Sequence, residues 1–193
     1  MLIGAKIGKR FDDCSFETFD VTDNQAALDA CKRVVAGESS GVLLYGPVGR
    51  GKTHLLVSLA REYNKEEIGD IDEGGVYVQV QKGNVVAFWP VLDLAGGLRE
   101  EIRNGEHRIM SSCFSCSLLI IDDLGAERST DFVLEALERI IDYRYRDELP
   151  IAIGTNLTPE EMVQKYGGRA ISRWAQSCDV VEMVGPDHRL ETQ

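Results

Sequence analysis

The chain has 193 residues, 44% of them hydrophobic, which suffices for one substantial core and little more than one domain. Its 21 basic residues stand against 32 acidic ones, a net charge of −11 that excludes coating nucleic acid with the whole surface and confines any such contact to a local patch. No apolar run approaches the roughly 18 residues that span a bilayer, and the opening MLIGAKIGKR lacks the apolar stretch of a secretion signal. The expectation is a cytoplasmic protein with no membrane partner.

Helical and strand periods alternate along the chain. Thr22 with Gln25 resembles a capping box, and Ala27, Leu28, Cys31, Val34 and Val35 recur at helical spacing up to Gly37. Gly41 to Tyr45 is a short apolar strand ending in glycines, followed by a helix marked by Leu55, Leu56, Leu59, Ala60 and Tyr63. Glu62 to Glu73 carries six carboxylates against one lysine and reads as a solvated loop. Val76 to Val80 alternates as a strand does, Lys82-Gly83-Asn84 suits a tight turn, and Val85 to Trp89 is an apolar strand. Val91, Leu94, Ala95, Leu98 and Ile102 give a further helix, weakened by Gly96 and Gly97.

Ser117 to Ile121 is apolar without alternation, as a central parallel strand must be. Val133, Leu134, Leu137, Ile140 and Ile141 mark the longest amphipathic helix, and Pro150 to Thr155 is a strand. Thr158-Pro159-Glu160-Glu161 joins an N-cap, an N1 proline and an N3 glutamate, so a helix starts there and Gly167-Gly168 breaks it. A short helix carries Arg169 to Trp174, and Val180 to Val184 is the last strand. Strands alternating with helices predict a parallel sheet with ligands gathered at the strands' carboxyl ends. The five cysteines are odd in number and scattered, which reads as reduced thiols. Cys113-Phe-Ser-Cys116 has the spacing of half a zinc site or a redox pair, but no second pair or His cluster completes it, so it reads as small thiols filling space beside a buried strand.

Gly46, Pro47, Val48, Gly49, Arg50, Gly51, Lys52 and Thr53 satisfy G-x-x-x-x-G-K-[ST] between a buried strand and a helix that His54 continues. Such glycines turn backbone N–H groups inward around phosphates, the lysine reaches the β- and γ-phosphates, and the Thr53 hydroxyl binds Mg²⁺ at the positive end of the helix. Leu118 to Asp123 is an apolar strand delivering two carboxylates, Asp122 to hold the metal and Asp123 to orient and polarise the attacking water. Asn156 ends a strand, where an amide either bonds the water and the γ-phosphate or caps a turn. Arg169 and Arg173 lie four apart on one helix face, either as surface ion-pairing groups or as groups completing a neighbouring subunit's site.

Together Phe16-Glu-Thr-Phe19-Asp, GPVGRGKTHLL, LLIIDDLGAE, the helix into Arg144-Tyr-Arg, LPIAIGTNL and GGRAISRW resemble, in order, the AAA+ ATPases of the DnaC/DnaI helicase-loader group. They are more loosely similar to the initiator DnaA and the transposition helper IstB. The resemblance implies a three-layer P-loop NTPase of the ASCE class, a five-stranded parallel sheet of order 5-1-4-3-2, and little or no C-terminal lid. Residues 1–15 would form a short N-terminal segment and 16–193 one AAA+ domain. It further implies ATP between protomers, Asn156 as sensor 1, Arg173 as arginine finger with Arg169 accessory, Arg189 as a sensor 2-like arginine, and the Phe16 to Val21 strip near the adenine. By residue type alone Phe16 and Phe19 read as core packing rather than a base platform.

The function implied is an ATP-binding, slowly hydrolysing switch in DNA replication whose partners are a replicative helicase, single-stranded DNA and further copies of itself. Slow hydrolysis is expected because Asp123 is one methylene shorter than the glutamate more common in AAA+ proteins. A transposition helper acting with a transposase, or a nucleotide-gated interaction module with little hydrolysis, are the alternatives. Arg99, Arg103, His107 and Arg108 are candidate DNA contacts, or simply a solvated helix end and loop.

Overall fold

The structure is a computed structural model that describes residues 7–64, 85–128 and 130–188, and the backbone of residues 2–4. The strands among them are β1 (Leu2–Gly4), β2 (Gly41–Tyr45), β3 (Val86–Pro90), β4 (Leu118–Leu124), β5 (Ile151–Thr155) and β6 (Asp179–Glu182), and all pair in parallel in the order β1-β3-β4-β5-β2-β6. The five strands from β6 to β3 reproduce the expected order 5-1-4-3-2. Strand β1 adds a sixth at the edge by pairing with β3.

The strands are apolar because both faces are covered. Along β2, Val42 and Leu44 enter the cluster under α1 (Gln25–Val35) and α2 (Lys52–Tyr63), while Leu43 points to the opposite cluster. Along β4, Leu118 and Ile120 take the first side and Leu119 and Ile121 the second, so a period of two buries every residue. The second side is closed by α3 (Val91–Asn104), α4 (Arg108–Ser115), α5 (Asp131–Arg146), α6 (Pro159–Tyr166) and α7 (Gly168–Ser177), with Trp174 fully buried at its centre. This is the three-layer arrangement expected of a P-loop core. Among the described residues no helix is long and apolar enough to cross a membrane.

Thr158 caps α6 as predicted, with both hydrogen bonds of the capping box present. The box expected at Thr22 is absent: α1 is entered from Asn24, and Thr22 instead bonds the Asp20 carboxylate with its N–H and its hydroxyl. Helix α2 continues through Tyr63, so Glu62 is helical rather than part of a loop. Helix α4 occupies a stretch to which the sequence assigns no element, and turns Ile109, Met110, Cys113 and Phe114 toward the core. Its first-turn amides at Ile109 and Met110 donate to the buried Glu101 carboxylate of α3, a cap supplied from another helix. The strand expected at Val76 to Val80, its turn, and most of the acidic stretch lie outside the described residues.

Candidate functional site

Strand β2 delivers the chain to Gly46, and α2 starts at Lys52 directly after Gly51. Gly46, Gly49 and Gly51 have φ of 134°, 79° and 89°, left-handed values that suit glycine and that bend the loop over the positive end of α2. The loop is also crowded: a Cβ on Gly49 would run into the Asp187 carboxylate, and one on Gly51 would sit 2.7 Å from the Phe19 ring. Lys52 is buried at the base of the loop, its Nζ donating to the carbonyls of Gly46 and Pro47 at 2.6 and 2.7 Å.

Strand β4 brings the two aspartates alongside. The β4–β5 register shifts between Ile121 and Leu124, and Asp123 has φ of 53°, so the strand bulges where the carboxylates leave it. Asp122 is 4% exposed and accepts hydrogen bonds from the Thr53 side chain and, at 3.0 Å, from the Asp123 N–H. Burial, reinforced by the Asp123 charge, pushes its carboxyl up to about 6 against those hydrogen bonds and the pull of Lys52. Gly154 of β5 makes room for it, since a Cβ there would lie 2.8 Å from Asp122 Oδ1 and from Leu56 Cδ1. Thr155 closes the corner, donating from Oγ1 to the Leu124 carbonyl at 2.6 Å and accepting from the Leu157 N–H. Asn156 follows, exposed.

These elements meet in a cleft of about 360 Å³ lined by Val48, Gly49, Arg50, Gly51, Lys52, Thr53, His54, Asp123 and Asn156, and completed by Arg10, Phe11, Cys14, Thr18, Phe19, Asp20 and His188. The donor set fits Mg²⁺-nucleotide. A hydroxyl and a buried carboxylate are hard oxygen ligands, burial outweighs the partners of Asp122 and disfavours its charge, and Mg²⁺ characteristically takes one or two protein oxygens plus phosphates. Thr53 and Asp122 would hold the ion, and the Gly46–Thr53 loop the phosphates.

The segment of residues 10–20 lies against α2 through two side chains to which the sequence had given other roles or none. Arg61 donates to the carbonyls of Phe11, Asp12 and Cys14, and His54 Nε2 lies 2.9 Å from the Ser15 carbonyl with its ring edge-on to Phe19. His54 thus lines the cleft and anchors its wall. Phe16 packs on the core rather than the cleft, Phe19 does both, and Phe11 joins it. On the other side the His188 N–H donates to the Gly49 carbonyl at 3.2 Å.

A second group drew no attention in the sequence beyond the letters of LGAE. Glu127, with its side chain fully buried, accepts from the Gly125 N–H at 2.8 Å and the Tyr166 hydroxyl at 2.6 Å, and pairs with Lys165 at 2.9 Å. Burial pushes its carboxyl upward, but these partners outweigh that and hold it below the ordinary value.

Arg173 is not in the cleft. It pairs with Asp142 of α5 and lies over the Tyr145 ring at 5.7 Å, while Arg169 is exposed. Arg189 lies outside the described residues. Arg103, His107 and Arg108 are exposed and Arg99 partly so, gathered where α3 turns into α4. Cys113 and Cys116 are buried and free. Burial pushes the Cys113 thiol up to about 12, and both residues pack around the buried Arg144.

No family model matches the chain. The replicative helicase loader DnaC of Escherichia coli (strain K12) is 24% identical over 169 residues, 83% of this chain and 62% of that protein, so the chain spans about three fifths of the relative's length. Among solved structures, the crystal structure of the DnaC helicase loader superposes with a TM-score of 0.75 at 22% identity, covering 92% of this chain and 100% of that one. The replication initiator DnaA bound to AMPPCP and single-stranded DNA gives 0.74 at 22% identity, covering 91% and 51%. The structural likeness establishes the fold. With the sequence likeness it bears out the resemblance drawn from the motifs, that of a DnaC/DnaI-like AAA+ core.

Proposed function

We propose that the protein binds Mg²⁺-ATP and hydrolyses it slowly as a switch in DNA replication, acting as a helicase-loader-like factor. The observation that carries the reading is the convergence in one cleft of the Gly46–Thr53 loop, Asp123 and Asn156, with Thr53 hydrogen-bonded to Asp122 directly behind.

In this reading Lys52 exchanges its two loop carbonyls for the β- and γ-phosphates, and the amides at the start of α2 hold the phosphate oxygens. Mg²⁺ between Thr53 and Asp122 neutralises phosphate charge when bound. Asp123, at the mouth of the cleft, orients the attacking water and accepts its proton, and Asn156 bonds the same water and the γ-phosphate. Arg173, outside its own cleft, serves the site of a neighbouring copy, which requires it to leave Asp142. The relatives named as helicase loaders, and an initiator solved with single-stranded DNA, support the choice of client and of DNA as partners. The basic turn between α3 and α4 is where this chain would meet that strand.

Phosphate release measured for the wild type, Lys52→Ala and Asp123→Asn, with and without single-stranded DNA, tests the reading. The expected result is wild-type turnover below the roughly 10 s⁻¹ of a median enzyme. Lys52→Ala should lose nucleotide binding, and Asp123→Asn should bind but turn over about 10²-fold or more slowly, leaving a residual rate. Binding with equal release from wild type and Asp123→Asn would overturn the ATPase and leave a nucleotide-gated module. Capture of a replicative helicase from native extract by ATP-loaded wild type and not by Lys52→Ala supports loading, whereas capture of a transposase overturns it.

A further inference from the structure

The carboxylate that matters most in the proposed site sits in the bulge near the end of β4, one residue before the strand's last pair, Leu124 with Thr155. Asp123 has a left-handed φ of 53° and Gly125 follows at 107°, just past the point where the β4–β5 register shifts. A non-glycine residue keeps such a conformation only when its surroundings impose it. Side-chain contacts converge on one residue of the turn, Gly125. Gly125 is held by its N–H on Glu127 Oε2 at 2.8 Å and by its carbonyl on Lys165 Nζ at 2.6 Å. Lys165 also donates to the Glu127 carbonyl at 3.1 Å and pairs with Oε1 at 2.9 Å, where the Tyr166 hydroxyl arrives at 2.6 Å. The Ala126 N–H then closes the turn onto the Asp123 carbonyl.

Burying a carboxylate and a lysine is costly unless every polar atom is matched, and a hydrophobic pair of equal volume would serve packing as well. Here the two charges are matched chiefly to the two sides of the Gly125 peptide. Neither lines the cleft or reaches its ligand groups. Their chemistry is that of a clamp on the backbone two residues beyond Asp123. Both clamp residues from outside the loop, Lys165 and Tyr166, end α6, and the Tyr166 ring meets Trp174 of α7 edge-on at 5.8 Å, one residue from Arg173.

We infer that Glu127, held by Lys165 and Tyr166, is a positioning residue for hydrolysis, fixing the direction of the Asp123 carboxylate. The inference rests on the reading of Asp123 given above. A displacement of about 1 Å in a reacting group costs on the order of 10²-fold in rate, so partial loosening should be visible in turnover before binding changes.

The test compares Glu127→Gln and Tyr166→Phe in the full chain. The second removes one oxygen and keeps the ring on Trp174, so it remains informative where the first fails to fold. The fluorescent analogue mant-ATP gives nucleotide affinity, and single-turnover phosphate release gives the chemical step. Affinity should stay within about threefold of wild type while the step slows by about tenfold or more. Combined with Asp123→Asn, either variant should add no further loss, because it acts through the same carboxylate. Unchanged rates in folded variants, affinity falling in parallel with rate, or an additive loss in the double variant overturns the inference while a hydrolysing wild type leaves the ATPase standing. A wild type that binds ATP without hydrolysing it overturns both.

Discussion

Asp122 is held in a slot that only glycine leaves open. A methyl group at 154 would press on Asp122 Oδ1 and Leu56 Cδ1, each 2.8 Å away, while Lys52 Cβ at 3.8 Å would stay in ordinary contact. Overpacking of this kind costs about 1–3 kcal/mol, so Gly154→Ala should lose that much in urea unfolding and, by displacing Asp122, raise the Mg²⁺ concentration needed for hydrolysis. Glu127 makes a prediction in pH. Its ionised form is favoured in the folded protein, so its contribution is present above the ordinary carboxyl value of 4.5 and disappears as pH falls through the lower folded value. Thermal unfolding of wild type and Glu127→Gln should therefore differ at neutral pH and converge as the pH drops below 4.5. The phosphate loop and the aspartate pair were legible because each is a short run with fixed internal spacing. Glu127 was not, because its partners lie 38 and 39 residues away and only the folded loop shows what it clamps.

At the scale of elements, one residue ties three of them together. Arg144, near the end of α5, is 1% exposed and donates to the carbonyls of Cys113 and Cys116 in and after the last turn of α4, and to that of Pro150 at the entry to β5. Arg144→Met should cost about 3 kcal/mol or more in chemical denaturation, since the buried Cys113 and Cys116 carbonyls lose Arg144 as donor and the Pro150 carbonyl keeps only the Leu119 N–H. The strands and α5 could be read from sequence because continuous burial or a helical period is written along them. Helix α4 carries the same period in Ile109, Met110, Cys113 and Phe114, but over only eight residues and with no local cap: its start is held by Glu101 of another helix and its end by Arg144 of a third. Gly97, which the sequence marked only as weakening α3, has a tertiary role: a Cβ there would run into Ile109 Cδ1, so the glycine permits the approach of α4.

For the whole molecule, Arg173 stands outside its own cleft, paired with Asp142. If Arg173 works in a neighbour's cleft, specific activity should rise with protein concentration for wild type and stay flat for Arg173→Ala, whose mant-ATP affinity as a dilute monomer is unchanged. A last consequence concerns the cleft walls. One comes from residues 10–20 and the other from His188, which bracket most of the chain's contour. A ligand touching both behaves as a reversible cross-link between distant points of the polymer, removing loop-closure freedom that neither wall alone would surrender. Hydrogen exchange should then slow in both segments together, at the same AMPPCP concentration, and not in one before the other.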